Sequence, residues 1–125
     1  MGEINQSVQI GSYGRWFRVN ALFDSGADMS YIKLSLAKKI NAPIYSKVKT
    51  RLGDGSELQG YLSQINVKIK NRIGLSDVIV VHKLDGDLIL GQDWMQKNDI
   101  ILNMKKEKFT YGLGQPKIKK IYRLR

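Results

Sequence analysis

Residues 22–32 read LFDSGADMSYI, and this stretch decides what kind of protein the chain forms. Three apolar residues lead directly into Asp24, and a small hydroxyl residue, Ser25, and then Gly26 follow it. Asp-Ser-Gly by itself is typical of an ordinary turn or helix start, because Asp and Ser side chains hydrogen-bond to their own backbone. A surface turn does not need the apolar run before it. The context therefore favours a carboxylate held at the end of a strand.

A carboxylate in this setting suits the hydrolysis of an amide. Water is a poor nucleophile, but two carboxylates held close together share one proton, because they cannot both ionise cheaply. The ionised carboxylate takes a proton from water, and the protonated one polarises the carbonyl. Asp24 is a candidate for one of the two. Gly26 would let the backbone fold closely around it, and Ala27 is small enough to leave room for substrate.

A second signature lies about 65 residues further on, where residues 88–95 read LILGQDWM. Together with residues 22–32 it resembles the paired signatures of retropepsin-like aspartic proteases, the family of retroviruses and long-terminal-repeat retrotransposons. Residues 99–109 are similar to the strand pair that ends retrotransposon-type members, and residues 53–56 lie where the family has its flap. The resemblance covers residues 5–112. It implies an all-β fold, a small acid protease domain with a flap hairpin and one or two short helices.

The resemblance also implies a role for each residue of the catalytic segment. Asp24 would be the catalytic carboxylate, and Ser25 would hydrogen-bond across a dimer to lock the two active-site loops together. Gly26 would offer its carbonyl to the substrate backbone. Asp93 does not qualify as a second catalytic residue, because no small hydroxyl residue and Gly follow it. The second Asp24 therefore has to come from another copy of the chain, at the axis of a homodimer.

Substrate binding is the role implied for the residues around the catalytic segment and at the flap tip. Asp28 would bind the substrate main chain beside the cleft, although an acid at the start of a helix is an alternative for this residue. The flap tip would lie over the bound peptide and exclude water. The predicted substrate-binding residues are Gly26, Ala27, Asp28, Gly53, Asp54 and Gly55.

One position departs from the family pattern. Retroviral members often have Arg directly after the Gly of the second signature, paired with the acid two residues beyond the catalytic Gly. This chain has Gln92 there, which leaves Asp28 without that partner. Gly91 is expected to pack closely under the active-site loop, and Trp94 is expected in the core.

The local pattern predicts mostly strands with two short helices. Asp54-Gly55 is a strong tight-turn pair between two strand-like runs, and a separate strand is expected over residues 65–70, because apolar and polar residues alternate there. The predicted elements are strands at 8–10, 15–23, 48–52, 57–62, 65–70, 78–81, 100–104 and 108–111, and helices at 34–40 and 92–97. We expect one protease domain over residues 1–112, followed by a basic tail at 113–125.

The chain is strongly basic, with 21 Lys and Arg against 11 Asp and Glu and a net charge of +10 over 125 residues. Five basic residues lie among the last nine: Lys117, Lys119, Lys120, Arg123 and Arg125. Such a cluster is consistent with contact to nucleic acid or another polyanion. A solubilising tail is the alternative, which the near absence of interleaved aromatic residues favours.

Several other classes of function are disfavoured. The chain has no cysteine and one histidine, His82, so thiol zinc sites and multi-histidine metal sites are excluded. His82 fits a polar residue that ends a buried strand, and Asp85 and Asp87 fit a turn better than a metal loop. We expect no cofactor and no metal. The N-terminus lacks a signal-peptide apolar core and no run is long enough for a membrane span, so we expect an intracellular or virion-like protein rather than a secreted one.

Two functions remain open at this point. The first is a homodimeric aspartic endopeptidase that cleaves extended polypeptides, with polyprotein processing implied by the resemblance. The alternative is a catalytically inactive retropepsin-like module for dimerisation or polyanion binding, motivated by the basic tail and by Gln92.

Overall fold

The computed structural model describes residues 3–12, 14–51, 54–98, 100–103 and 108–111. The predicted basic tail and Gly53 of the predicted flap tip lie outside these ranges. In chain order the elements are β1 (Glu3–Ser12), β2 (Arg15–Asp24), β3 (Tyr31–Lys33), α1 (Leu34–Lys39), β4 (Lys47–Arg51), β5 (Glu57–Ile69), β6 (Arg72–Val81), β7 (Leu88–Leu90), α2 (Gln92–Lys97), β8 (Ile100–Asn103) and β9 (Lys108–Tyr111).

Seven of the strands form one sheet in the order β1-β2-β7-β3-β6-β5-β4, and β1 also pairs with β5. This extra pairing closes six of the strands into a ring around the main core, while β4 extends beyond it with the outer part of β5. The predicted all-β class with two short helices is confirmed. No helix among the described residues has the length and apolar character that crossing a membrane requires.

The core lies inside the ring because alternate residues of the strands point inward. In β5, Ser63, Ile65, Val67 and Ile69 are buried at every second position, as expected of a strand with one face on the core. In β6 the four consecutive residues Val78–Val81 are all buried, as their continuous apolar run predicted.

The separate strand expected over residues 65–70 was wrong. The structure has one continuous strand, β5, over thirteen residues. The polar Ser63, which interrupts the apolar pattern, is buried, and its hydroxyl donates a hydrogen bond to the carbonyl of Pro43. A satisfied hydroxyl can stay in a core, so the strand continues through it and ends at the turn formed by Lys70 and Asn71, both at positive φ.

The helices lie close to their predicted positions. α1 begins at Leu34 and ends at Lys39, one residue earlier than expected, and Asn41 follows it in the left-handed region at φ 55°. α2 covers residues 92–97 as predicted. Trp94 in α2 is buried and meets Phe23 of β2 edge-to-face, with ring centroids 5.7 Å apart. The expectation that Trp94 is a core residue is therefore confirmed.

The loop between β6 and β7 contains His82, Asp85 and Asp87, which were predicted to lie at a strand end and in a turn. His82 is exposed directly after β6. Residues 85–87 form a turn in which Gly86 has φ 103°, and the Asp87 carbonyl accepts a hydrogen bond from the backbone N–H of Lys33 at 3.1 Å. Among the residues that the structure describes, no group of His, Asp or Glu side chains could hold a metal ion.

Candidate active site

Asp24 is the last residue of β2 and lies at the floor of an open cleft. The preceding Phe23 is fully buried, and β2 pairs in parallel with β7 over residues 21–23 and 88–90. Asp24 is only half-buried. The strand therefore runs from the core to the surface and ends with the carboxyl group in the cleft, as the apolar run before Asp24 predicted.

The loop after Asp24 folds back on the carboxylate. The backbone N–H of Gly26 donates to Asp24 Oδ1 at 2.8 Å, and the N–H of Ala27 donates to the Asp24 carbonyl at 3.1 Å. These two bonds make a compact turn, and the first of them orients the carboxylate. Asp24, Gly26, Ala27 and Asp28 all line the same cleft, which has a volume of about 620 Å³.

The second signature supports this loop from beneath. The backbone N–H of Gln92 donates to the Ala27 carbonyl at 2.7 Å, and the N–H of Asp93 donates to the Asp28 carbonyl at 3.0 Å. Amides at the start of a helix have no partner within the helix, so two of them at the start of α2 are free to hold the loop of residues 24–28. The side-chain amide of Gln92 adds a third bond, to the Ser25 carbonyl at 3.0 Å.

Ser30 and Asp93 join the two signatures through their side chains. Ser30 is fully buried, and its hydroxyl donates to Asp93 Oδ1 at 2.8 Å and accepts the backbone N–H of Gly91 at 3.0 Å. The same Asp93 oxygen accepts the N–H of Trp94 at 2.7 Å. Ser30 had no predicted role, although its place inside the first signature was a usable signal. Asp93 is a structural acid, in agreement with its exclusion as a catalytic residue.

Gly91 has no space for a side chain. A Cβ at this position would lie 2.3 Å from the carbonyl oxygen of Met29 and 2.6 Å from that of Ala27. Both atoms belong to the backbone, so neither can rotate away. The expected close packing of Gly91 under the active-site loop is confirmed.

Asp28 is exposed, and its carboxylate has no hydrogen-bond or ion-pair partner among the described residues. It lies six residues before α1, so the alternative of an acid at the start of that helix was wrong. A cleft carboxylate with no partner in the described part of the chain is available to a ligand. Its role in substrate binding stays a prediction.

The predicted flap hairpin is present as β4 and the first part of β5, which pair antiparallel from Lys47 with Tyr61 to Arg51 with Glu57. At its tip, Gly55 has φ 87°. Asp54 and Gly55 are not among the residues that line the cleft, and their contact with substrate stays a prediction.

Seven further residues line the cleft without having been predicted. Met29, Tyr31 and Ile89 flank the two signatures, and their apolar character next to the motifs was a signal for them. Lys49, Thr50 and Arg51 come from β4, and Leu84 comes from the loop before β7. Their positions depend on how the hairpin folds over the floor, which no local pattern indicates.

The conformation of the flap tip depends on the carboxylate of Asp54. Its Oδ1 accepts hydrogen bonds from the hydroxyl of Ser56 at 2.5 Å and from the backbone N–H of Ser56 at 2.8 Å. These bonds favour the ionised form, and the Ser56 hydroxyl, followed by the backbone N–H, lowers the pKa of Asp54 below its ordinary value.

The Ser56→Ala variant is expected to raise the pKa of Asp54 towards its ordinary value, because the larger of the two stabilising bonds is removed. A carboxylate whose pKa is lowered in the folded chain stabilises the turn fully above its ordinary pKa and loses this effect as the pH falls through the lowered value. Carboxyl-carbon NMR titration measures the shift. An unchanged pKa of Asp54 in the variant would contradict the hydrogen-bond assignment.

The Gly91→Ala variant is expected to displace the catalytic loop and to lower the free energy of unfolding by about 1–3 kcal/mol, the usual cost of overpacking. Urea unfolding at a fixed protein concentration measures this. Gly74→Ala is a matched control, since a Cβ there lies closest to the side chain of Asn98 rather than to backbone and should cost less. Equal losses for the two variants would argue against the close approach at Gly91.

Comparison with known proteins gives solved structures with the same fold, of which three are described. EIAV protease, solved with the inhibitor HBY-793, is 22% identical, with a TM-score of 0.58 over 77% of this chain and 88% of that one. The retroviral protease-like domain of Ddi1 from Leishmania major is 17% identical, with a TM-score of 0.61 over 89% of each chain. The simian foamy virus (mac) protease is 18% identical, with a TM-score of 0.50 over 73% of this chain and 92% of that one.

The sequence comparisons give one family. No curated protein matches the chain. The family model described as retroviral aspartyl protease matches residues 9–116, and both signatures fall inside that range. Since this match covers most of the chain, the chain belongs to the retroviral aspartyl protease family.

Proposed function

We propose that the chain is an aspartic endopeptidase that is active as a homodimer. The observation that carries the proposal is Asp24, held at the floor of an open cleft with its carboxylate oriented by Gly26. The family match supports the chemistry, and the single Asp-Ser/Thr-Gly segment in the sequence supports the need for a second copy.

In the proposed mechanism two Asp24 carboxyl groups face each other across the dimer axis and share one proton. The ionised group takes a proton from a water molecule, which attacks the carbonyl carbon of the scissile peptide. The protonated group donates a hydrogen bond to the carbonyl oxygen as negative charge develops on it. Transfer of a proton to the leaving nitrogen then breaks the carbon–nitrogen bond and releases an amine and a carboxylic acid.

The substrate of this proposal is an extended polypeptide lying between the flap hairpin and the cleft floor. A peptide in a strand conformation can bond through its main chain while alternate side chains enter pockets. The cleft has apolar wall residues, Met29, Leu84 and Ile89, beside the carboxylates of Asp24 and Asp28. The sequence resemblance suggests polyprotein segments as substrates, and the proposed function includes their cleavage.

The position of Gln92 bears on the inactive alternative. Its side chain bonds to the Ser25 carbonyl and so holds the catalytic loop from the position where many retroviral members have Arg. Gln92 therefore departs from the family pattern but still holds the loop of Asp24 through a hydrogen bond. The polyanion-binding part of the alternative rested on the basic tail, which lies outside the described residues, so no specific observation favours it.

The Asp24→Asn variant is expected to lose peptide cleavage by roughly 10²- to 10⁴-fold or more, because the neutral amide cannot take a proton from water. The assay uses purified chain, a diverse peptide library and a pH series through the acidic range. Asp85→Asn is a matched control, since Asp85 is exposed and does not line the cleft. Cleavage by Asp24→Asn at the wild-type rate would refute the proposal.

A further inference from the structure

Tyr31 and Thr50 connect the two walls of the cleft through their side chains. Tyr31 begins β3 at the end of the catalytic loop and is 7% exposed, and Thr50 lies on β4 in the flap hairpin. The phenol oxygen of Tyr31 is 2.7 Å from Thr50 Oγ1. Both residues line the same cleft as Asp24. The bond therefore joins the cleft floor, which carries Asp24, to the hairpin on the other side of the cleft.

Apolar residues pack around this bond. Tyr31 packs with Ile79 and Val81 in a small cluster separate from the main core, and Val48 and Leu58 of the hairpin pack against that cluster. Apolar contacts are non-directional, so they attract the hairpin to the floor without fixing its angle. A hydrogen bond between two hydroxyls has a defined distance and direction.

The bond links side chains of two different elements. Among the described residues, no other hydrogen bond joins residues 47–51 or 54–58 to Asp24 or to residues 26–31 of the floor loop. Tyr31 is a buried residue. An unpaired hydroxyl on a buried side chain destabilises the folded chain. The geometry of the hairpin base is thus coupled to one pair of hydroxyl groups.

We propose that Tyr31 and Thr50 are positioning residues that hold the base of the flap hairpin at a fixed angle over the cleft floor. The proposal rests on the proposed peptidase function of the site. A hairpin that is already in place costs less ordering when substrate binds. Loss of the bond therefore weakens substrate binding while the Asp24 chemistry on the floor continues.

The test is a double-mutant cycle with Tyr31→Phe, Thr50→Val and the double variant. Each substitution keeps the shape of the side chain and removes one hydroxyl. Tyr31→Phe is expected to raise KM roughly three- to tenfold with kcat unchanged within about twofold. Thr50→Val should raise KM at least as much, because it leaves the Tyr31 hydroxyl without its partner. The KM of the double variant should be no higher than that of Thr50→Val alone, since neither hydroxyl remains to be left unpaired.

Amide hydrogen exchange provides a readout that does not depend on cleavage. Exchange in residues 47–51 and 57–60 should quicken in both single variants, while residues 78–81 in the core stay protected. Tyr61→Phe is the matched control, because Tyr61 is a half-buried tyrosine on β5 whose hydroxyl has no partner among the described residues. It should change neither KM nor exchange in the hairpin.

Three results would overturn the proposal. The first is a KM in the double variant that rises by the product of the two single-variant fold-changes, as it would if the two hydroxyls acted independently. The second is a loss of kcat at constant KM. The third is unchanged hairpin exchange in both single variants. A wild-type chain that cleaves no peptide would refute the proposed function instead, and the exchange measurements would then decide by themselves whether the two hydroxyls hold the hairpin.

Discussion

The loop that carries Asp24 is held by the backbone of a distant segment, and the rest of the candidate site depends on this contact. Gly91 approaches the carbonyls of Ala27 and Met29 so closely that no side chain fits. This approach brings the first amides of α2 within hydrogen-bonding distance of Ala27 and Asp28. The two sequence signatures are therefore one structural unit, in which the second holds the shape that the first needs to present Asp24.

In the proposed function, the unit is half of a reaction centre. Asp24 lies in a cleft that is open to solvent. It shares the cleft with Asp28, whose carboxylate has no partner among the described residues, and with the cations Lys49 and Arg51 of the hairpin. Arg51 is balanced by Glu57 at 3.5 Å on the opposite strand, but both side chains are largely exposed, so this pair adds little to stability. The cleft offers one Asp-Ser-Gly carboxylate, whereas the proposed chemistry requires two, so the proposal assigns the second to another copy of the chain.

Much of this arrangement could be predicted from local pattern. The apolar run before Asp24 indicated a strand that ends at the carboxylate, and the Asp54-Gly55 pair indicated the hairpin. The features that were missed depend on tertiary neighbours. Ser30 meets Asp93 across 63 positions of the chain and Tyr31 meets Thr50 across 19, and no periodicity encodes either distance. The continuity of β5 through Ser63 depends on a carbonyl supplied by Pro43, which the strand's own sequence does not reveal.

The central claim is that one carboxylate comes from each of two chains, and mixing tests it most directly. Wild-type protein is combined with Asp24→Asn protein at constant total concentration, far above the concentration needed for association, and the cleavage rate is followed against the wild-type fraction. If mixed dimers lack a dyad, the rate falls as the square of that fraction, to about a quarter when half of the chains are wild type. A rate that falls only in proportion to the wild-type fraction would mean that each chain works alone, and would contradict the account.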